Sequence, residues 1–400
     1  MVDPGKLSWL VGRWRLCLLH PGAWWSAGGL TVVVIALLPD ALRGWTIAAD
    51  DIQYFFFAQN HAIANSVAHG AWPLWDPLFG FGQPLLANPG NQALYPPSWI
   101  NLLWPPEIAI VLYVGGHLLL AGLGTYALAR RILHLSPWAS WLAAACWIAS
   151  GPLVSLVPRW QHFASAAWLP WVLLAALRCA AGPSTPRALT LAATLVLQWL
   201  SGSVEVAAAS LLLALSSAAL LRWRQPQSAR FLLATWVPAG VIALALSAVL
   251  WLPALDLLRH SARSEMVAAG RMFWSVPPWR WLELITPLRL DELPIRPRLH
   301  SLLFGSTGTT IVRSLYLGAT LSALALTAAL TAYKRRGVAA LLMTVLGATL
   351  LAAGPSVPSS ASASCWRLKA MKLSILLAVI HKICIRLTSI FFQSVTICGN

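Results

Sequence analysis

The chain has 400 residues, 58% hydrophobic and 10% charged, with a mean hydropathy of +0.69, and a soluble domain carries about 25% charged residues. That deficit excludes an ordinary soluble protein and argues for a polytopic membrane protein. The formal net charge of +16 does not point to nucleic acid, because the basic residues punctuate apolar runs instead of forming one patch, which is how membrane topology is written.

Lys6, Arg13 and Arg15 precede a charge-free run from Pro21 to Pro39. The run is long for the core of a signal peptide, and no clear small-residue cleavage site follows it. It reads as a retained signal-anchor helix with residues 1–20 in the cytoplasm, so that Asp50 and Asp51 emerge outside. The stretch Asp50 to Pro97 then breaks the apolar monotony. Asp51 to Ala68 predicts a helix along the interface, with Tyr54, Phe55, Phe56 and Phe57 facing lipid or the bundle. Pro73, Pro77, Gly80, Gly82, Pro84, Pro89, Gly90, Pro96 and Pro97 exclude any long helix after it. Its aromatic residues (Trp72, Trp75, Phe79, Phe81, Tyr95 and Trp99) supply too much apolar surface for disorder. A long ordered loop of this kind is usually functional.

Further charge-free runs follow, each near the roughly 17–25 residues that a spanning helix needs. They are Ile108 to Ala129, Pro137 to Val157, Trp160 to Leu177, Ala188 to Val204, Val206 to Leu221, Phe231 to Leu255, Ser314 to Tyr333 and Gly337 to Ala353. Alternation from a cytoplasmic N-terminus puts Arg130/Arg131, Arg178/Arg187, Arg222/Arg224/Arg230 and Lys334 to Arg336 inside. It leaves every acid except Asp3 at or near the outer side. The least secure feature is the short pair Ala188 to Leu221, whose merger would invert all that follows. The predicted architecture is an all-α, polytopic transmembrane helical bundle over residues 21–353, with two large outer loops, 40–107 and 256–313. Two such loops on one face can cover a cavity that opens to the outer leaflet.

Residues 354–400 depart in composition. After Ser359 lie Lys369, Lys372 and Lys382, Cys365, Cys384 and Cys398, and only Trp366 of the 23 tryptophans. Two readings stay open: a tail foreign to this fold, as from a frameshift or a truncated frame, or a tenth helix from Ser374 to Cys398. The six cysteines, which include Cys17, Cys146 and Cys179, show no CxxC or Cys/His metal spacing and read as apolar filler.

The first outer loop resembles the YfhO-like bacterial membrane proteins, of the GT-C class of polyprenyl-phosphate-sugar-dependent glycosyltransferases. The likeness lies in Asp50-Asp51 with Gln53-Tyr54, then Gly70-Ala71-Trp72-Pro73-Leu74-Trp75-Asp76-Pro77, Gly80, Gly82-Gln83-Pro84-Leu85-Leu86-Ala87-Asn88 and Tyr95-Pro96. Weaker echoes are His162 with Ala167-Trp168-Leu169-Pro170-Trp171, Leu246 to Val249 with Leu252-Pro253, and Pro277-Pro278-Trp279, so that it covers roughly Asp40 to Gly347. The chain departs from the family after Leu197-Gln198, where Gly202-Ser203-Val204-Glu205 replaces a Gly-His-Pro-Gln-like turn. Family members also run on for further spans.

The resemblance implies an integral membrane enzyme of the bacterial inner membrane. It would move a sugar from a polyprenyl-phosphate donor to a glycan or lipid acceptor of the cell envelope, with membrane lipid as its other partner. Such a reaction needs a carboxylate to take the proton of the acceptor hydroxyl and a cation for the departing phosphate. Asp51 is the candidate base and Asp50 the second. Arg159, Arg259, Arg263 and Arg271 are candidate phosphate contacts, and oxygen ligands at the site would suit Mg2+ or Mn2+. His162, Glu205, Gln53, Asp76, Asn88 and Gln92 are candidate substrate contacts, with Trp72 and Trp75 as stacking surfaces. Plainer roles stand beside each of these. The two acids could cap the interfacial helix, His162 could pair with water, Glu205 could sit in an outer turn and the arginines could be solvated. The tryptophans could form an aromatic belt. His61 and His69 share no metal-ligand spacing and read as structural. Two other functions compete with the transferase: a non-catalytic transporter or scaffold for a lipid carrier, and a truncated, non-functional family member.

Overall fold

Proline stands in the first two positions of four helices, at Pro21, Pro106, Pro137 and Pro186. Its missing N–H costs nothing in a first turn, where that donor would be unpaired anyway. The structure is a computed structural model and describes residues 21–222, 228–261, 278–286, 312–332 and 342. It is mostly helical. The elements are α1 (Pro21–Leu37), α2 (Phe57–Ala68), α3 (Pro106–Arg131), α4 (Pro137–Ile148), α5 (Trp160–Ala181), α6 (Thr185–Leu200), α7 (Val204–Arg222), α8 (Ser228–Arg259) and α9 (Ala319–Ala332). Three of the helices are long and apolar enough to cross a membrane: Pro106–Arg131, Trp160–Ala181 and Leu233–Arg259.

Within the described residues, helices lie where the apolar runs from Pro21 to Tyr333 predict them, with shifted bounds and one clear correction. The run Pro137 to Val157 is not one span. Ser136 caps the start of α4, its Oγ accepting from the Ala139 N–H at 3.3 Å. The helix then stops at Ile148, and a separate single turn, Gly151–Val154, follows. The interruption has a use: the Gly151 N–H donates to the Tyr316 carbonyl at 2.9 Å. A Cβ at Gly151 would lie 2.7 Å from that same oxygen, so only glycine allows the approach. The pair Ala188 to Leu221 is two helices, α6 and α7, separated at Ser201–Ser203. Gly202 takes φ +93°, and a Cβ there would meet the Pro89 carbonyl oxygen at 2.2 Å. The turn between α6 and α7 is thus seated on the 40–107 segment. Residues 1–20, the run Gly337 to Ala353 apart from Leu342, and the 354–400 tail lie outside the described residues.

Helix α3 packs between α4 and α5, α1 lies across α3 and α4, α5 is flanked by α6 and α7, and α8 covers α6. One core joins Leu30, Tyr113, Val114, Ile148 and Phe163 with Ile52, Phe56 and Tyr95, so the 40–107 segment shares the hydrophobic interior of the helices. Phe56 meets Trp160 edge-on with ring centroids 5.4 Å apart, a favoured aromatic geometry. At the other end of the bundle Leu128, Ile132, Leu177, Ala180 and Ala218 pack together. Arg130, Arg131 and Arg178 therefore share that end, where cations also suit the helix C-termini.

The helix predicted over Asp51 to Ala68 exists, but it opens as a π-helical turn, Ile52–Phe56, before α2. Phe56 is buried, whereas Tyr54 and Phe55 are exposed. Beyond it lies a two-stranded antiparallel hairpin, β1 (Trp75–Asp76) and β2 (Gln83–Pro84), with Trp75 opposite Pro84 and Asp76 opposite Gln83. Two 3-10 turns, Pro89–Asn91 and Pro96–Leu102, lead into α3.

Candidate functional site

Asp50 sits in the left-handed region at φ +47°, a conformation that Asp tolerates better than most side chains. The π-helical turn begins two residues later, and such turns recur at functional sites. Neither acid caps the helix, and Asp51, at the N-cap position, makes no capping hydrogen bond. Each is instead paired with an arginine distant in sequence. Asp51 Oδ1 lies 2.7 Å from an Arg159 terminal nitrogen. This is a charge contact rather than an aligned hydrogen bond, since that N–H is not aimed at the oxygen. Asp50 Oδ2 accepts from the Arg313 guanidinium. The second oxygen of each carboxylate carries no hydrogen bond among the described residues.

Arg159 is the residue before α5, and His162 stands in the first turn of that helix. His162 Nε2 is 3.8 Å from Glu205 Oε2, and Glu205 in turn stands in the first turn of α7. Ser203 donates to the same carboxylate oxygen at 3.3 Å, and the Val206 N–H donates to Ser203 Oγ. Two helix N-termini thus meet beside the acidic pair. The candidates Asp50, Asp51, Arg159, His162 and Glu205 are brought to one locus, joined by Arg313, which the sequence reading did not single out. Glu205 has 77% of its side chain exposed and stands in α7 just after the turn between the two helices.

The other candidates do not join it. Asp76 is buried and accepts from the Leu78 N–H at 3.0 Å, closing the hairpin. Asn88 caps the Pro89–Asn91 turn by accepting from the Gly90 N–H at 3.1 Å. Gln92 is buried: its Nε2 donates to the Ser201 carbonyl at 2.6 Å, and its Oε1 accepts from Ser98 Oγ at 3.0 Å and Tyr113 OH at 2.8 Å. Both acceptor positions of that oxygen are thus taken within the protein. The contacts of these three side chains hold the segment's own structure, apart from the acidic pair. Gln53 is exposed and remains open to a ligand. Trp72 and Trp75 are also exposed, and Arg259 is exposed at the end of α8, outside these pairs. Arg263 and Arg271 lie outside the described residues. Among the described residues no three His, Cys, Asp or Glu side chains converge on one point, and both acids face arginine.

A buried polar network that sequence reasoning missed ties the loop to the bundle. Trp168 Nε1 donates to Tyr95 OH at 2.7 Å, and Tyr95 OH lies 2.7 Å from His117 Nε2. His117 Nδ1 is 2.7 Å from the Tyr113 carbonyl. A carbonyl only accepts, so Nδ1 carries the proton; neutral imidazole then leaves Nε2 to accept from the Tyr95 hydroxyl. Burial pushes the Tyr95 phenol above its ordinary range, against the smaller opposing effect of the Trp168 hydrogen bond. Beyond Gln92 and Ser201 the network reaches Gln198, whose Nε2 donates to the Ser165 carbonyl at 3.0 Å and Ser210 Oγ at 2.8 Å. A signal was present: His117 and Gln198 are polar side chains inside apolar runs, where such groups have partners or functions.

No family model, curated protein or solved structure matches the chain. The chemistry of the site therefore rests on its residues. It offers two adjacent carboxylates, each oriented by one guanidinium and each with one oxygen open, beside a histidine and two helix N-termini. That arrangement suits proton acceptance next to a bound anion.

Proposed function

We propose that this chain is a multi-pass protein of the bacterial inner membrane with a cytoplasmic N-terminus and with segments 40–107 and 256–313 on the outer face. We propose further that it is a GT-C-like glycosyltransferase moving a sugar from a polyprenyl-phosphate donor to a cell-envelope glycan or lipid. The topology draws support from the placing of Arg130, Arg131 and Arg178 at the bundle end where Leu128, Leu177 and Ala218 meet, while Asp51, Arg159 and Glu205 cluster around the starts of α5 and α7. A basic cytoplasmic end is the ordinary arrangement.

The single observation that carries the chemical reading is the Asp51–Arg159 pair beside Asp50–Arg313. In this reading the open oxygen of Asp51 takes the proton of the acceptor hydroxyl. The hydroxyl oxygen bonds to the anomeric carbon, the bond from that carbon to the phosphate oxygen breaks, and the phosphate leaves with the electron pair. Arg159 holds Asp51 in place and stands next to the developing phosphate charge. The test is the fate of a labelled donor in vesicles containing the purified chain and a membrane extract as acceptor source. A transferase consumes the polyprenyl-phosphate sugar and labels an acceptor. Donor that stays intact refutes it.

A second reading has its own observation: both acids are neutralised by arginine, as in a structural ion pair. A non-catalytic carrier handler would then move the labelled donor between leaflets without consuming it, which the same vesicles report.

A further inference from the structure

Within the second segment, 256–313, residues 256–261, 278–286 and 312–313 are described, and 278–286 is joined to the stretch 312–318. The turn Pro278–Leu284 carries Arg280 and Glu283 three residues apart, both almost fully buried, at 1% and 2% of side-chain exposure. Arg280 Nε donates to both Glu283 oxygens at 3.1 Å, and a terminal nitrogen donates to Oε2 at 2.8 Å. The guanidinium also reaches across to the other limb. It donates to the Val312 carbonyl at 3.1 Å and to the Arg313 carbonyl at 3.0 Å. Leu284 closes the same unit, its carbonyl accepting from the Leu317 N–H at 3.3 Å and Ser322 Oγ at 2.9 Å.

Burying two charges is costly, and a buried pair is often replaceable by apolar side chains without loss of stability. Stability alone is thus a poor reason for this one. Its geometry suggests another. A planar guanidinium can serve a carboxylate on one edge and two successive carbonyls on the other, which an ammonium cannot. The carbonyls it grips belong to Val312 and Arg313, and the Arg313 side chain lies on Asp50.

We propose that Arg280, clamped by Glu283, is a positioning residue: it fixes the backbone at 312–313 and thereby delivers Arg313 to Asp50, coupling the second outer segment to the acidic pair. The functional meaning of this coupling rests on reading that pair as the active site; the coupling itself does not. Two further contacts place the limb beside the start of α5. Gly151 donates to the Tyr316 carbonyl, and Ser155 Oγ donates to the Ser314 carbonyl at 3.3 Å. The second segment therefore closes onto the same locus from its own side, and a ligand that displaces Arg313 from Asp50 must work against the Arg280 grip.

The test is chemical crosslinking in the full chain with its native cysteines replaced. Asp50→Cys with Arg313→Cys reports the delivery of the limb, using a bifunctional thiol reagent that spans an arginine–carboxylate pair. Thr46→Cys with Glu107→Cys is the control, because Thr46 Oγ1 donates to the Glu107 carbonyl at 2.9 Å away from Arg280. The double change Arg280→Met with Glu283→Leu removes both charges of the pair together. It is expected to lower the 50–313 yield about ten-fold and to leave the 46–107 yield unchanged. Arg280→Lys, which keeps the charge but not the fork, is expected to give an intermediate 50–313 yield. Unchanged 50–313 yields in both variants overturn the proposal. So does loss of both reporter pairs in both variants, which makes Arg280 a residue of the whole fold. No sugar transfer is needed for the readout, so the outcome stands whether or not the transferase reading does.

Discussion

Replacing Gln92 by alanine separates a ligand-binding loop from a docked one. Gln92 is 2% exposed and makes three hydrogen bonds, to the Ser201 carbonyl, Ser98 Oγ and Tyr113 OH. Two of these partners, Ser201 and Tyr113, lie in the bundle, so the residue is a rivet between loop and helices. Each buried neutral bond contributes about 1 kcal/mol net, and an orphaned buried partner costs about 1–3 kcal/mol. Water entering the vacated space recovers part of this, which leaves a loss of about 3 kcal/mol for Gln92→Ala. For a 400-residue chain that lowers Tm by about 3–4 °C. The backbone adds a second handle. Gln92 takes φ +55°, so Gln92→Gly loses the same bonds but sheds about 1 kcal/mol of left-handed strain. Thermal unfolding in detergent should rank wild type above Gln92→Gly and Gln92→Ala lowest. Unchanged Tm in both variants, with donor affinity reduced, would refute the reasoning and restore Gln92 as a sugar contact.

Gly202→Ala should cost about 3 kcal/mol or more, because it combines φ +93° with a Cβ 2.2 Å from the Pro89 carbonyl. A Tm within error of wild type in the same detergent assay contradicts the docking of the α6–α7 turn on the loop. Tyr95→Phe removes the hydroxyl that accepts from Trp168 and donates to His117, costing about 2 kcal/mol at neutral pH. It also changes the pH dependence. Burial raises the phenol in the folded state, so the folded chain keeps a proton that the unfolded chain releases above about pH 10. Wild type therefore loses stability as pH rises past that point, and Tyr95→Phe should lose less. Parallel alkaline slopes of Tm for the two proteins would contradict this.

Much of the helical layout was legible because apolar run length and the basic residues that end the runs are local properties. Pro137 and Arg131 mark helix ends in the structure as they do in the sequence. The break after Ile148 was not legible, because its cause is a backbone contact with Tyr316 far along the chain. Among the candidate residues, the acids and Arg159 carry charge that has few places to go in an apolar chain, and they do meet. Gln92, Asn88 and Asp76 stood out because polarity in a loop announces either a ligand or a backbone to be satisfied, and sequence does not distinguish the two. Here loop N–H groups claim Asp76 and Asn88, and Gln92 reaches from the loop to Ser201 and Tyr113 in the bundle. Arg313 was missed because its relevance depends on Arg280 and Glu283 turning the limb back on Asp50.

Sugar transfer by the double variant Asp50→Asn, Asp51→Asn tests the central claim most directly, measured on purified protein with donor affinity and Tm followed in parallel. Both ion pairs are partly exposed and add little to stability, so the fold and donor binding should persist. Transfer should fall by about 10²–10⁴, the contribution of a positioned general base. Undiminished transfer by that variant would contradict the account.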